Sequence, residues 1–190
     1  RRHLMSNRPA GLLLFAGGAL CAFLQISPAQ TPARKPAAHS TGALKPAVEG
    51  NLAQVMRGII YPASNVIFAA QTTNPADVKP AKDSATAPNP LESAYGKWEA
   101  VENAGLALSE AANLLILPGR KCSNGLPVPL QNANWAKFVQ GLREAGAVTY
   151  KAAQSKDKEK ILDATDAVAA ACSNCHDKYR DERPLTDRCK

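Results

Sequence analysis

The sequence predicts an all-α fold, a four-helix bundle. Apolar residues recur at threes, fours and sevens in four separate long segments. No segment alternates apolar and polar residues as a half-buried strand would. Once a leader and a linker are set aside, about 145 residues remain, enough to bury a real core.

The chain opens on an expected export signal, residues 1–29. Arg1, Arg2 and Arg8 make a positive head, Gly11 to Ile26 is an apolar run too short for an ordinary membrane span, and Ser27-Pro28-Ala29 offers small residues for cleavage after Ala29. Cys21 falls in this leader. Residues 30–46 read as a disordered linker, dominated by Pro, Ala and Lys and lacking an apolar period. The domain proper is residues 47–190.

The first helix is expected over about 47–70, carrying Leu52, Val55, Met56, Ile59, Ile60, Val66, Ile67 and Phe68, with Pro62 breaking or kinking it. Residues 71–90 hold Pro75, Pro80, Pro88 and Pro90 and read as a loop. The second helix, about 91–117, presents Tyr95, Trp98, Val101, Leu108, Ala112 and Leu115, and Pro118-Gly119 ends it. A second loop spans 118–131. The third helix, about 132–155, rests on Trp135, Phe138, Leu142, Ala145, Thr149 and Ala152. The fourth, about 157–181, rests on Ile161, Thr165, Val168, Cys172, Cys175 and Tyr179, with Asp157 at its positive end. Trp98 and Trp135 lie on apolar stripes and are expected in the bundle core.

Near the end of that fourth helix stands Cys172-Ser173-Asn174-Cys175-His176, the C-x-x-C-H spacing of covalent c-type haem attachment. Two thiols add across the two haem vinyl groups, and the following imidazole binds the iron. On a helix, positions 172, 175, 176 and 179 share a face, so both sulfurs, His176 and Tyr179 can meet one flat cofactor. A thioredoxin-like dithiol would want a strand before the motif, whereas Ile161 to Ala171 is Ala-rich and helical in character. A zinc-stabilised structural module would draw Cys122, Cys172, Cys175 and Cys189 together. Export agrees with haem, because c-type haem is attached outside the cytoplasm. With Cys172 and Cys175 given to haem, Cys122 and Cys189 are left as an even pair in an oxidising compartment. They are expected to form a disulfide between the tail and the second loop, contributing on the order of 2–4 kcal/mol.

The second axial ligand is a question of inventory. Beyond the leader the chain has two histidines, His39 in the linker and His176, and one methionine, Met56. Only 14 residues follow His176, and none is Met or His. A thioether ligand is therefore Met56, on the first helix. The alternatives are Met56 as core filler, or beside a five-coordinate iron that binds NO or CO. Arg57 is a candidate partner for a haem carboxylate, and Arg180, one turn beyond His176, is another.

Ala171-Cys172-Ser173-Asn174-Cys175-His176-Asp177-Lys178-Tyr179-Arg180, closing a four-helix chain, resembles the class II cytochromes c, the cytochrome c prime and c556 group. The similarity extends over roughly residues 47–182. It implies one covalent haem c held by Cys172 and Cys175, His176 as axial ligand, and a distal residue from the first helix, Met in the low-spin members. Members often carry Arg four residues before the distal position. Here Leu52 stands there and Arg57 follows Met56, and placing Arg57 in that register puts Tyr61 at the distal spot instead.

The resulting expectation is an exported monohaem cytochrome carrying single electrons in the periplasm, not an enzyme, since no acid–base or nucleophilic pair stands out. Its partners would be redox proteins, with a homodimer left open and no membrane span in the mature chain. The net charge of +7 and pI of about 9.3 do not argue for nucleic acid. Three of those charges are the leader's arginines, aromatic residues are only 5%, and no basic stripe alternates with them. The remaining excess suits docking to an acidic redox partner.

Overall fold

A computed structural model describes residues 45–181 and 183–190. The expected leader, with Cys21, and the linker through residue 44, with His39, lie outside the described residues. What is described is all-helical apart from one isolated bridge between Lys121 and Pro127.

The first rod comprises α1 (Leu52–Val55), a π-helical turn (Met56–Ile60) and α2 (Tyr61–Thr72), joined end to end. Asn51 starts it with a capping box. Its side chain accepts from the Gln54 amide at 3.0 Å, and the Gln54 side chain accepts from the Asn51 amide at 2.8 Å. Pro62 does not end the rod: of the expected break or kink the break is absent, and the helix is altered instead by the π turn beside it. Pro has no N–H to give to the carbonyl four residues back, so the ladder has to change register nearby. The Tyr61 amide bonds to the Met56 carbonyl, one residue farther back than in an α-helix, and the helix passes Pro62 as a widened turn.

Three short 3₁₀ turns, Pro75–Asp77, Ser84–Thr86 and Pro90–Glu92, carry the chain to α3 (Lys97–Ala111). Asn74 and Asn89 cap the first and last of them. The second helix thus begins at Lys97 rather than near 91. Tyr95, expected on its apolar stripe, precedes it and is exposed. A 3₁₀ segment, Ala112–Ile116, extends α3 to the loop. Next come α4 (Ala133–Ser155), capped by Asn132, and α5 (Lys158–His176), capped by Asp157, whose carboxylate accepts from the amides of Glu159 and Lys160. The fourth helix ends in α form at His176. Asp177–Asp181 is a second π turn, in place of the α-helix expected to 181.

The rods run alternately up and down. At one end α2 finishes beside the starts of α3 and α5 and the finish of α4, where Ala70, Trp98, Val101, Ala152, Ala153, Ile161 and Ala164 are buried together. At the other end Val55 and Ile60 meet Leu108, Leu115, Trp135, Val139, Leu142, Val168 and Tyr179. Thr149 and Thr165 lie in the apolar interior because each hydroxyl donates to the carbonyl four residues back, at 2.8 and 2.7 Å. The closest approach in the bundle is α3 on α4. A Cβ on Gly146 would stand 2.5 Å from the Ser109 nitrogen, and one on Gly105 would stand 2.6 Å from that of Tyr150. Only residues lacking that atom let the two backbones come so near.

Candidate functional site

A cavity of about 260 Å³ opens at the end of the bundle where the first rod starts and α5 finishes. The first rod supplies Leu52, Ala53, Met56, Arg57, Ile60, Tyr61 and Ser64. Facing them are Cys172, Cys175 and His176 from α5, and Tyr179 and Arg180 from the π turn that follows it. Trp135 enters from α4. Cys122, Ser123, Arg188 and Cys189 complete the wall.

All seven residues expected at the site, Met56, Arg57, Cys172, Cys175, His176, Tyr179 and Arg180, therefore line one cavity, and the alternative Tyr61 lines it too. Local structure explains the gathering. The spacing 172, 175, 176 follows the face of α5. Both π turns lie at the cavity, and the first puts Met56, Arg57, Ile60 and Tyr61 along a single wall. Met56 is half-buried, whereas Tyr61 is 63% exposed and Arg57 also reaches solvent.

Tyr179 is buried and anchors the α5 side. Its ring meets Trp135 edge-on with centroids 5.1 Å apart, and Phe138 at 6.2 Å. Trp135 is fixed in turn by donating its indole N–H to the Leu115 carbonyl at 3.2 Å. Trp98 sits in the opposite core, as expected for a packing residue. Among the described residues, the buried Tyr179 hydroxyl has no hydrogen-bond partner, and neither has the buried Nε of Arg188.

Cys172 and Cys175 are free thiols, and Cys122 is bonded to Cys189. That disulfide is the expected one, and it closes off the zinc reading. Two of the four sulfurs zinc would need are bonded to each other, and no group of three potential ligands gathers among the described residues. Burial pushes the Cys175 thiol from its ordinary 9.0 up to about 11, helped by neighbouring Cys172 and opposed by Arg180. Burial raises Cys172 as well, again against Arg180. His176 is held below its ordinary range by burial and by the Arg180 cation, with Asp181 and Asp177 acting the other way. Burial and Arg180 both favour the neutral imidazole, the form that binds a metal. Burial, with Cys175 adding to it, raises the Tyr179 phenol. Arg180 is held by the Asp181 carboxylate, to which it gives two hydrogen bonds.

The cavity wall also holds residues that the sequence did not single out for the site: Leu52, Ala53, Ile60 and Ser64 of the first rod, Trp135 of α4, and Ser123, Arg188 and the disulfide of the loop and tail. For the tail, the unpaired cysteines were the available signal, because a bond from Cys189 to the second loop carries Arg188 with it.

Residues 131–180 match the family model described as Cytochrome C'. The match agrees with the class II resemblance and supports a c-type cytochrome, a family that implies haem c. The Cytochrome C' stretch takes in α4, α5 and Cys172, Cys175, His176, Tyr179 and Arg180. It does not reach the first rod, with Met56, or the tail, with Arg188 and Cys189. No curated protein and no solved structure matches the chain. No helix among the described residues is long and apolar enough to cross a membrane.

Proposed function

We propose that this chain is an exported monohaem cytochrome that carries single electrons in the periplasm. The observation that carries the reading is the opposition of Cys172, Cys175 and His176 to Met56 across one cavity. The donor set suits haem c. Two unpaired thiols three residues apart would form the thioethers, and His176 Nε2 or Nδ1 would bind the iron. When bound, the haem supplies one-electron chemistry at its iron.

The protein's own part is to set access and potential. Trp135, Tyr179, Leu52 and Ile60 exclude water from the apolar side. Met56 would offer its thioether to the iron, which would raise the potential and suit electron transfer. Arg57, and Arg180 already paired with Asp181, would put positive charge at the cavity wall where the carboxylates of a bound haem would meet it. The basic surface favours an acidic redox partner, and no step requires substrate chemistry.

A second reading, binding of NO or CO at a five-coordinate iron, is favoured by one feature. On the first-rod side the cavity wall is exposed at Arg57 and Tyr61, which leaves a route for a small gas. The visible spectrum of the exported protein, oxidised and reduced, with and without CO, tests both. A low-spin ferric spectrum with the weak long-wavelength band of sulfur-to-iron bonding, unchanged by CO, is expected. Loss of that band in Met56→Ala would assign the ligand. A high-spin spectrum that shifts with CO makes gas binding the role, and absence of a Soret band overturns haem altogether.

A further inference from the structure

Among the described residues, the cavity wall carries three guanidinium groups, Arg57, Arg180 and Arg188, and no carboxylate. Arg180 is committed to Asp181. Asp181 also feels the Arg188 charge, yet both its oxygens already accept from Arg180. Arg188 stands at the cavity with a buried Nε–H that has no acceptor among the described residues. A buried donor without a partner is costly unless something fills the place.

The tail is held there by several constraints. Cys189 is bonded to Cys122 in the α3–α4 loop. From the same loop, the Asn124 amide donates to the carbonyls of Leu185 at 2.9 Å, Thr186 at 3.4 Å and Arg188 at 3.0 Å. The Cys189 amide donates to the Tyr179 carbonyl at 3.1 Å, which ties the strap to the α5 side of the cavity. Cys189 adopts φ +68°, an unusual backbone for a residue with a Cβ. So many fixings on a short tail place the residue between them, Arg188, with little freedom.

We propose that the tail is part of the haem site, a disulfide-fixed strap that presents Arg188 to a haem carboxylate. The proposal rests on the haem reading above. It assigns a function to a segment outside the stretch that matches the cytochrome C' family. A cation paired with a haem carboxylate offsets its negative charge. Removing the cation then favours the ferric state and lowers the reduction potential.

The test uses the full haem-loaded chain. Covalent haem is counted by mass, and the reduction potential and the carboxylate bending band in resonance Raman are measured for the wild type, Arg188→Gln, Arg188→Lys and Asn124→Ala. Haem should remain attached in every variant. Arg188→Gln should lower the potential and shift the carboxylate band, Arg188→Lys should restore most of the potential, and Asn124→Ala should reproduce part of the loss with Arg188 intact. If haem is attached but Arg188→Gln leaves both potential and band unchanged, Arg188 is not a haem contact and the proposal fails. If Arg188→Lys behaves like Arg188→Gln, charge at this position is not what acts, and the proposal fails equally. If the wild type carries no covalent haem, the haem reading itself fails.

Discussion

The two ends of the bundle are built on different principles. The end around Trp98 and Ile161 is closed by small side chains: five of its nine buried members are alanines, on α2, α3, α4 and α5. The end around Trp135 and Tyr179 has regular helices that widen into two π turns, a disulfide, two free thiols and two buried polar atoms without partners. Small side chains let backbones approach until no space is left. Wide turns and large aromatics hold them apart around a cavity. The first end behaves as a scaffold and the second as a site, so mutations at the first should change stability alone, and mutations at the second should change what the cavity does.

The largest stability loss is expected at the closed end. Ile161 has no exposed surface, and Ile161→Ala should cost about 2–5 kcal/mol, read as a lower midpoint in chemical unfolding with the visible spectrum of the folded protein unchanged. A spectral change at this distance would mean that the two ends are not independent. Removing the disulfide by Cys122→Ser with Cys189→Ser should cost about 2–4 kcal/mol, since it releases a cross-link between residues 67 apart. Unlike Ile161→Ala, it should also disturb the cavity, because both sulfurs stand in its wall. Equal and purely structural losses from the two changes would erase the distinction. Gly146→Ala comes next, at about 1–3 kcal/mol, because the new Cβ meets the Ser109 backbone on α3 and neither helix can yield without moving the other. An unchanged unfolding midpoint would show that this crossing has slack.

The same contrast explains what could be read from sequence. The packing at both ends was legible because helical periodicity reports burial directly. Val101 and Ile161 at the closed end, and Leu108, Trp135, Leu142 and Val168 at the open end, are all buried where their spacing puts them. The C-x-x-C-H face was legible because its chemistry fixes its spacing. Pro62 was half legible: a proline inside an apolar period signals a disturbed helix, but not that a π turn absorbs the missing donor and keeps the rod continuous. Tyr95 misled because it continued a stripe across a chain segment that had not yet become helix. Arg188 was half legible for a different reason. The leftover cysteine pair pointed to the covalent link, but the three carbonyls gathered by Asn124, one of them Arg188's own, leave no periodic trace. The Gly105–Gly146 contact was likewise a matter of which helices touch, not of either helix alone.

The smallest effect concerns protons at the open end, and its sign can be worked out. Burial favours the uncharged thiol of Cys175 and raises it from 9.0 to about 11. The folded chain then holds this proton more tightly than the unfolded chain does. Stability contributed by the thiol is complete below the ordinary thiol range and declines as pH rises from about 9 toward 11. The thiolate is the reactive form, so at pH 8 the folded, haem-free chain should present roughly 100-fold less of it at Cys175 than an ordinary cysteine. Alkylation by iodoacetamide, followed by mass spectrometry as a function of pH, measures this. Slow labelling at pH 8 that accelerates toward pH 11, with the rate at pH 8 restored by denaturant, is the expected outcome. Labelling as fast as that of a free thiol at pH 8 would mean that the sulfurs are open to water and that the cavity does not shelter them. Sheltered thiols also resist exchange with the nearby Cys122–Cys189 bond, since exchange begins with a thiolate. The burial that shapes the cavity therefore also keeps two of its sulfurs reduced beside two that are joined.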